Sequence, residues 1–153
     1  MVKLNYVELM VTEKINIVKI CVGAKVVHDL WLWQKERQTS DKNSKIMHIT
    51  RMRPQRENEL LNGGSIYWVF KGLILARQEV MSLQECRGAD GILRCGLILN
   101  PQLFLTYPVK KRPFQGWRYL KSSDAPKDLE KYSPGNDRLP NELKIAMSEL
   151  GLV

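Results

Sequence analysis

Gly63-Gly64-Ser65-Ile66-Tyr67-Trp68-Val69-Phe70-Lys71-Gly72-Leu73-Ile74-Leu75-Ala76-Arg77-Gln78-Glu79-Val80 is the stretch on which the fold turns. Branched and aromatic residues dominate it, which is the composition of strand. Lys71-Gly72 supplies a two-residue hairpin turn, because Gly accepts the positive φ such turns demand, although Lys suits the turn less well than Asn or Asp. A single long strand bent at Gly72 is the other reading. With the turn in place, Phe70 faces Leu73, Trp68 faces Leu75 and Ile66 faces Arg77, leaving Tyr67, Val69, Ile74 and Ala76 on the opposite side. Both faces are then largely apolar. A sheet wetted on one side alternates polar with apolar residues, so this pair is expected to be covered twice, as in a closed or half-closed barrel with helices outside. The fold class expected is α+β, a small mixed, mainly antiparallel β-barrel flanked by short helices.

Outward from the hairpin, the second strand is expected to run on through Leu83. A Gly-rich turn at Arg87-Gly88-Ala89-Asp90-Gly91 and a returning strand Ile92 to Leu99 complete a meander, with Met81 near Leu97 and Leu83 near Cys95. Upstream, Asn62-Gly63-Gly64 stops a short helix that Pro54 opens, with Leu60 and Leu61 inward. Lys45 to Met52 alternates as a strand carrying His48 and Thr50 on one side, and Thr39 to Ser44 is a polar loop. Val26, Val27, Leu30, Trp31 and Trp33-Gln34 form the apolar face of a helix that closes at Lys35-Glu36-Arg37. Ile15 to Val22 is a strand ended by Gly23, and Met1 to Lys14 reads as an N-terminal extension to a single domain over residues 15–153.

Downstream, Gln102 to Thr106 is either a helical turn or a strand start, and Tyr107-Pro108-Val109-Lys110-Lys111-Arg112-Pro113 is extended by its prolines. Phe114 to Leu120 is a loop leading into a strand that returns to the sheet. Ser123 or Asp124 caps a short helix through Leu129, Ser133 to Asp137 is a loop, and Pro140 opens a terminal helix.

The chain of 153 residues is the size of one domain with a real core. It has no apolar run of the roughly 18 residues a membrane span needs, and its first residues do not read as a secretory signal. Three cysteines, Cys21, Cys86 and Cys95, cannot all pair, which points to a reducing cytoplasm. The net charge of +8 suits a polyanionic partner if the excess gathers on one face. No acid lies between Asp90 and Asp124, while Arg94, Lys110, Lys111, Arg112, Arg118 and Lys121 do. A solvated basic surface serving solubility explains the same bias.

Chemistry is sparse. His28 and His48 are the only histidines and no cysteine sits at ligand spacing from either, so no metal is expected. Cys95, on a buried strand, reads as a core residue; Cys86 is the more reactive candidate. Gly63-Gly64 precede a strand, not a helix, and do not form a phosphate loop. Three cationic groups remain. Arg51, Arg53 and Arg56 bracket the start of a helix, where they hold phosphates or pair with Glu57 and Glu59. Lys71 and Arg77 mark a rim of the hairpin, with Glu79 as Arg77's mate. In Lys110-Lys111-Arg112-Pro113-Phe114-Gln115-Gly116-Trp117-Arg118-Tyr119 cations alternate with aromatics: phosphates need the cations, and an unstacked base needs a flat ring and the amide of Gln115. The same aromatics would serve equally as core plugs.

The segments Ile49 to Arg56, Gly64 to Gly72, Arg87 to Gly91 with Arg94-Cys95, and Arg112 to Leu120 resemble a family of bacterial proteins of similar length whose domain has no known function. More distantly, the order strand, helix, strand, helix, meander looks like the PUA superfamily and its ASCH and EVE relatives, which implies a small barrel binding RNA or modified bases; fold alone does not license function. The expectation is therefore a non-catalytic module for RNA or single-stranded DNA, needing no cofactor. Arg51, Arg53, Arg56, Lys71, Arg112 and Arg118 would meet phosphates, while Phe114, Gln115 and Trp117 would meet a base. Two alternatives stand beside it: a hydrolase of a modified base using Thr50, Lys71 and Glu79, and a module whose basic face docks an acidic protein.

Overall fold

The computed structural model describes residues 13–40 and 45–136. The expected extension over Met1 to Lys14, apart from its last two residues, lies outside that range, as do most of the polar loop and the terminal helix from Pro140. In order, the elements are β1 (Ile15–Ile20), α1 (Val27–Ser40), β2 (Met47–Thr50), α2 (Glu57–Leu60), β3 (Ser65–Phe70), β4 (Leu73–Arg87), β5 (Leu93–Leu99), β6 (Phe104–Lys110), β7 (Trp117–Lys121) and β8 (Asp128–Lys131). This is a mixed, sheet-rich fold with few helices.

The hairpin forms where it was expected. Lys71 and Gly72 take φ of 48° and 81°, the two positive values of a turn whose twist matches its strands. Its register departs from simple counting, because Phe70 pairs with Leu73 and Val69 with Ile74, but Trp68 pairs with Ala76 and Tyr67 with Arg77. The extra residue, Leu75, is a bulge that turns Ala76 over to the face of Ile66, Trp68 and Phe70. A second irregularity, at Met81, places Leu83 opposite Leu97 and Glu85 opposite Cys95, two residues away from the expected pairing.

Strand β4 is 15 residues long and belongs to two ladders. Its first half lies between β3 and β6, and its second half pairs with β5, which in turn pairs with β2. On the far side of β3 lies β1, parallel to it, followed by the antiparallel β7. The path β2-β5-β4-β3-β1-β7 is open, since among the described residues its two ends do not pair. Of the closed or half-closed barrel expected, closure is not found: among the described residues the sheet is open. Two side chains of β7 nevertheless reach across the gap: Trp117 Nε1 donates to the Met52 carbonyl at 2.9 Å, and the Tyr119 hydroxyl accepts the Arg56 N–H at 3.0 Å.

The expectation that both faces of the hairpin are covered is met, for every residue of β3 is buried. One face, with Ile66, Trp68, Phe70 and Ala76, packs with Val27 and Leu30 of α1 and with Leu97 and Leu99 of β5. On the other, Tyr67, Val69 and Ile74 meet Val18 and Leu120 under Val109, Phe114 and Ala125. Strand and loop cover that second face, where helices had been expected. Helix α1 begins with the Asp29 carboxylate accepting the backbone N–H groups of Lys25 and Val26 at 2.9 and 3.3 Å. Those two bonds hold its pKa below the usual carboxylate value. Trp33, counted by periodicity with the apolar face, points outward and is 43% exposed.

The segment Ser123 to Leu129 is not a helix. Its second part is β8, an edge strand on β6. Arg77 holds that edge, donating from Nε and Nη2 to the two Asp128 carboxylate oxygens, both at 2.7 Å, with its guanidinium 4.4 Å from the Phe104 ring centroid. Asp128, not Glu79, is therefore its mate.

Candidate nucleic-acid interface

The nine expected contact residues divide between two faces of the sheet, and the parity of β7 divides them. Arg118 opposes Val18 across the β1–β7 ladder and shares the face of Leu120, where Phe114 packs. Trp117 and Tyr119 point to the other face, with ring centroids 4.8 Å apart and Trp117 against the main core.

On the Trp117 side the cations are already engaged. Arg53 is ion-paired with Glu57 and Arg56 with Glu59, so the reading in which these arginines meet local acids is the one realised. Their pKa values are raised, first of all by those carboxylates. Arg56 also lies 5.4 Å from the Tyr119 ring centroid, and the Trp117 N–H is committed to Met52. Arg51 is exposed nearby.

The Arg118 side is different. Val18, Lys110, Lys111, Arg112, Pro113, Phe114 and Arg118 line a shallow groove of about 420 Å³, with four cations and no carboxylate. Among the described residues none of these cations takes part in an ion pair. The Arg118 guanidinium lies 5.5 Å from the Phe114 ring centroid and is anchored by Nη1 on the Gln115 carbonyl at 3.1 Å. Gln115 is exposed beside it. Lys71 sits at the same end of the sheet, since the Lys111 N–H donates to the Gly72 carbonyl at 2.9 Å and Leu73 pairs with Lys110. Cations here come from β6, from the loop after it and from β7.

Thr50, Lys71 and Glu79 are not gathered. Thr50 pairs with Cys95 on the β2–β5 ladder. Lys71 occupies the hairpin turn while Glu79 pairs with Ser65 at the hairpin's other end, roughly 25 Å away at the rise of a strand. No cavity described here is lined by any of the three. Burial raises the Cys95 thiol pKa and pushes that of Cys21 up to about 12, so neither is a thiolate at neutral pH.

One group escaped the sequence reading, where histidine was weighed only as a metal ligand. His48 lies on β2 with its ring edge-on to Trp68, centroids 5.1 Å apart, and its Nε2 is buried without a hydrogen-bond partner. Burial first, then the charges of Lys19 and Arg37, push its pKa down to about 4. The unfolded chain, with a histidine near its ordinary value of about 6.5, takes up the proton first. Stability contributed by neutral His48 is therefore complete above about pH 6.5 and declines as pH falls toward 4. His48→Phe is expected to flatten that part of the curve, as read from the difference in urea midpoints between variant and parent at pH 7.5, 6 and 5.

Fold and groove together define a sheet-rich module with a cationic, aromatic-backed groove. The chain belongs to the family described as a protein of unknown function (DUF1489), whose model matches residues 17–153. No curated protein and no solved structure matches it. No helix among the described residues is long and apolar enough to cross a membrane.

Proposed function

We propose that the protein is a cytoplasmic module that binds single-stranded nucleic acid, RNA before DNA, along the groove formed by Lys110, Lys111, Arg112, Phe114 and Arg118. The observation that carries this reading is four cations lining one groove without a carboxylate among them. Phosphates spaced along a strand release counterions when they meet such a row. The Phe114 ring with the Arg118 plane above it gives a base a flat surface on which to stack. Gln115, exposed beside them, offers an amide to the base edge, and Lys71 lengthens the cationic row. The three free thiols suit a reducing compartment. The proposal also takes the fold as an opened relative of the PUA-like barrel, supported by the two hydrogen bonds that tie Met52 and Arg56 to β7.

A salt titration with labelled single-stranded RNA and DNA of random sequence tests the reading. Affinity should fall steeply with salt. Arg112→Ala and Arg118→Ala should each weaken binding and reduce the slope of log K against log salt by about 0.7, the value for one phosphate contact on a single strand. Arg53→Ala and Arg56→Ala, whose guanidinium groups already hold carboxylates, should change it little. Absence of binding to either pool at low salt removes the proposal, and so does a loss confined to the Arg53 and Arg56 variants.

A further inference from the structure

Cys86 and Met47 bring two sulfur atoms together on the outer face of the β2–β5–β4 ladder. His48 and Leu97 pair there and turn toward the core, the first against Trp68 and the second fully buried, so by the alternation of a strand Met47 and Gly96 face the other way. Cys86 pairs with Arg94 on the far side of β5 and shares that outward parity. Its Sγ lies 3.8 Å from Met47 Sδ. Both residues are half-buried, and the two cross-strand partners of Gly96 beside them, Ile49 and Gln84, are exposed. A small solute therefore reaches the pair from solvent.

Gly96 is what lets the sulfurs meet. It does not adopt positive φ, so the backbone does not require a glycine, but a Cβ there would fall 2.5 Å from Met47 Sδ and 3.0 Å from Cys86 Sγ. A glycine inside a strand weakens it and often marks a place of close approach. Zinc, the metal against which the sequence was read, wants three or four His, Cys or carboxylate donors. Among the described residues no three of these gather. A thiolate with a thioether is a different donor set, one that selects Cu(I) over hard and borderline divalent ions. With bonds of about 2.3 Å, the length of a zinc–thiolate bond, one ion spans sulfurs 3.8 Å apart at an S–metal–S angle of about 110°. Met47, unbranched and with three rotatable bonds, can widen that angle. Arg94 beside Cys86 is paired with Asp90, which neutralises this neighbouring cation.

We propose that Cys86 and Met47 form a binding site for the soft monovalent ion Cu(I). The Cys86 thiol proton passes to solvent as the sulfur–copper bond forms, Met47 Sδ donates a lone pair, and the metal keeps its oxidation state, so no oxidant or reductant is consumed. The site shares no residue with the cationic groove and stands whether or not that groove binds a strand.

The test is anaerobic titration of the full chain against the Cu(I) complex of bicinchoninate, with X-ray absorption at the copper edge. The protein should draw one equivalent of copper from the chelator, and the spectrum should show two sulfur neighbours. Cys86→Ser should abolish this uptake, since Cys21 and Cys95 are buried. Met47→Leu, which conserves volume, should weaken binding about tenfold or more and leave a single sulfur. Gly96→Ala keeps both ligands but forces their sulfurs aside, and should weaken binding as well. Failure to take copper from the chelator overturns the proposal, as does parental affinity in Met47→Leu, which would make the thiol a ligand by itself. The parent's own spectrum decides even where a variant does not fold: one sulfur neighbour in place of two overturns the site.

Discussion

Gly64→Ala is expected to destabilise the protein by on the order of 3 kcal/mol or more, a large share of the roughly 5–15 kcal/mol that holds a domain folded. A Cβ at this position would fall closer than 3.0 Å to two backbone carbonyls, those of Ile15 in β1 and Leu60 in α2. Neither belongs to a flexible side chain that could swing away. The same residue is tied at both ends, its N–H donating to the Leu60 carbonyl at 2.9 Å and its carbonyl accepting from the Val80 N–H at 3.0 Å. Relief by a backbone shift would thus break one of these bonds or spread β1 from β3. Gly91→Ala is the internal comparison. Gly91 has φ of 77° and nothing within 4 Å of a Cβ, so only the left-handed backbone resists the change, at about 1–2 kcal/mol. Thermal and urea denaturation of the two variants side by side decide the matter, and equal losses would show that β1 and α2 do not close on Gly64 as described.

The second large effect is expected at Gln78, whose side chain is completely buried. Its Oε1 accepts from Trp68 Nε1 at 3.1 Å and from Gln34 Nε2 at 2.9 Å, while its own Nε2 donates to Gln34 Oε1 at 2.8 Å and to the Asn100 carbonyl at 3.0 Å. One amide therefore links β4 to α1, to β3 and to the turn after β5. Gln78→Leu keeps the volume and removes every bond. Gln34 is half-buried and can turn toward water, but the Trp68 N–H cannot. With roughly 1–3 kcal/mol lost for each buried group left unpaired, the variant should lose about 3 kcal/mol. Gln34→Ala, which leaves the Trp68 bond intact, should lose nearer 1 kcal/mol. Urea midpoints measure both, and the near-ultraviolet circular dichroism of Trp68 should change only in the first. A Gln78→Leu protein as stable as its parent would mean that this network contributes nothing net to stability.

How far the sequence could be read follows from where its patterns carry information. Gly72 with its flanking apolar runs made the hairpin visible, and the Gly-rich turn after Arg87 made β5 visible. The bulge at Leu75 was hidden because Leu73 to Ala76 are all apolar: where both faces are buried, alternation no longer reports which side a residue takes. The β8 strand was misread through Ser123 and Asp124, whose capping tendency is local, whereas the decisive partner, β6, is distant. For the groove, the cations and Phe114 were legible as a cluster. Their separation from Trp117 was in principle legible too, because neighbouring residues of a strand point to opposite faces, so Trp117 and Arg118 could not share one. Arg53 and Arg56 precede α2, and the acids that engage them, Glu57 and Glu59, are near neighbours in the sequence. The meeting of Met47 with Cys86 was beyond reach, since β2 and β4 come together only through β5.

Because β1 lies between β3 and β7, the chain cannot complete its central ladder in the order in which it is made. When the ribosome has released the first strand and the hairpin, Ile15 to Ile20 has one neighbour, and its outer edge waits for Trp117 to Lys121. Until then an apolar strand with unpaired amides is open to pairing with another nascent chain. The β3–β4–β5 meander, whose contacts are local, has no such delay. The vulnerable period in the life of this protein is therefore its own synthesis, and truncations that end before Trp117 should be the ones that aggregate.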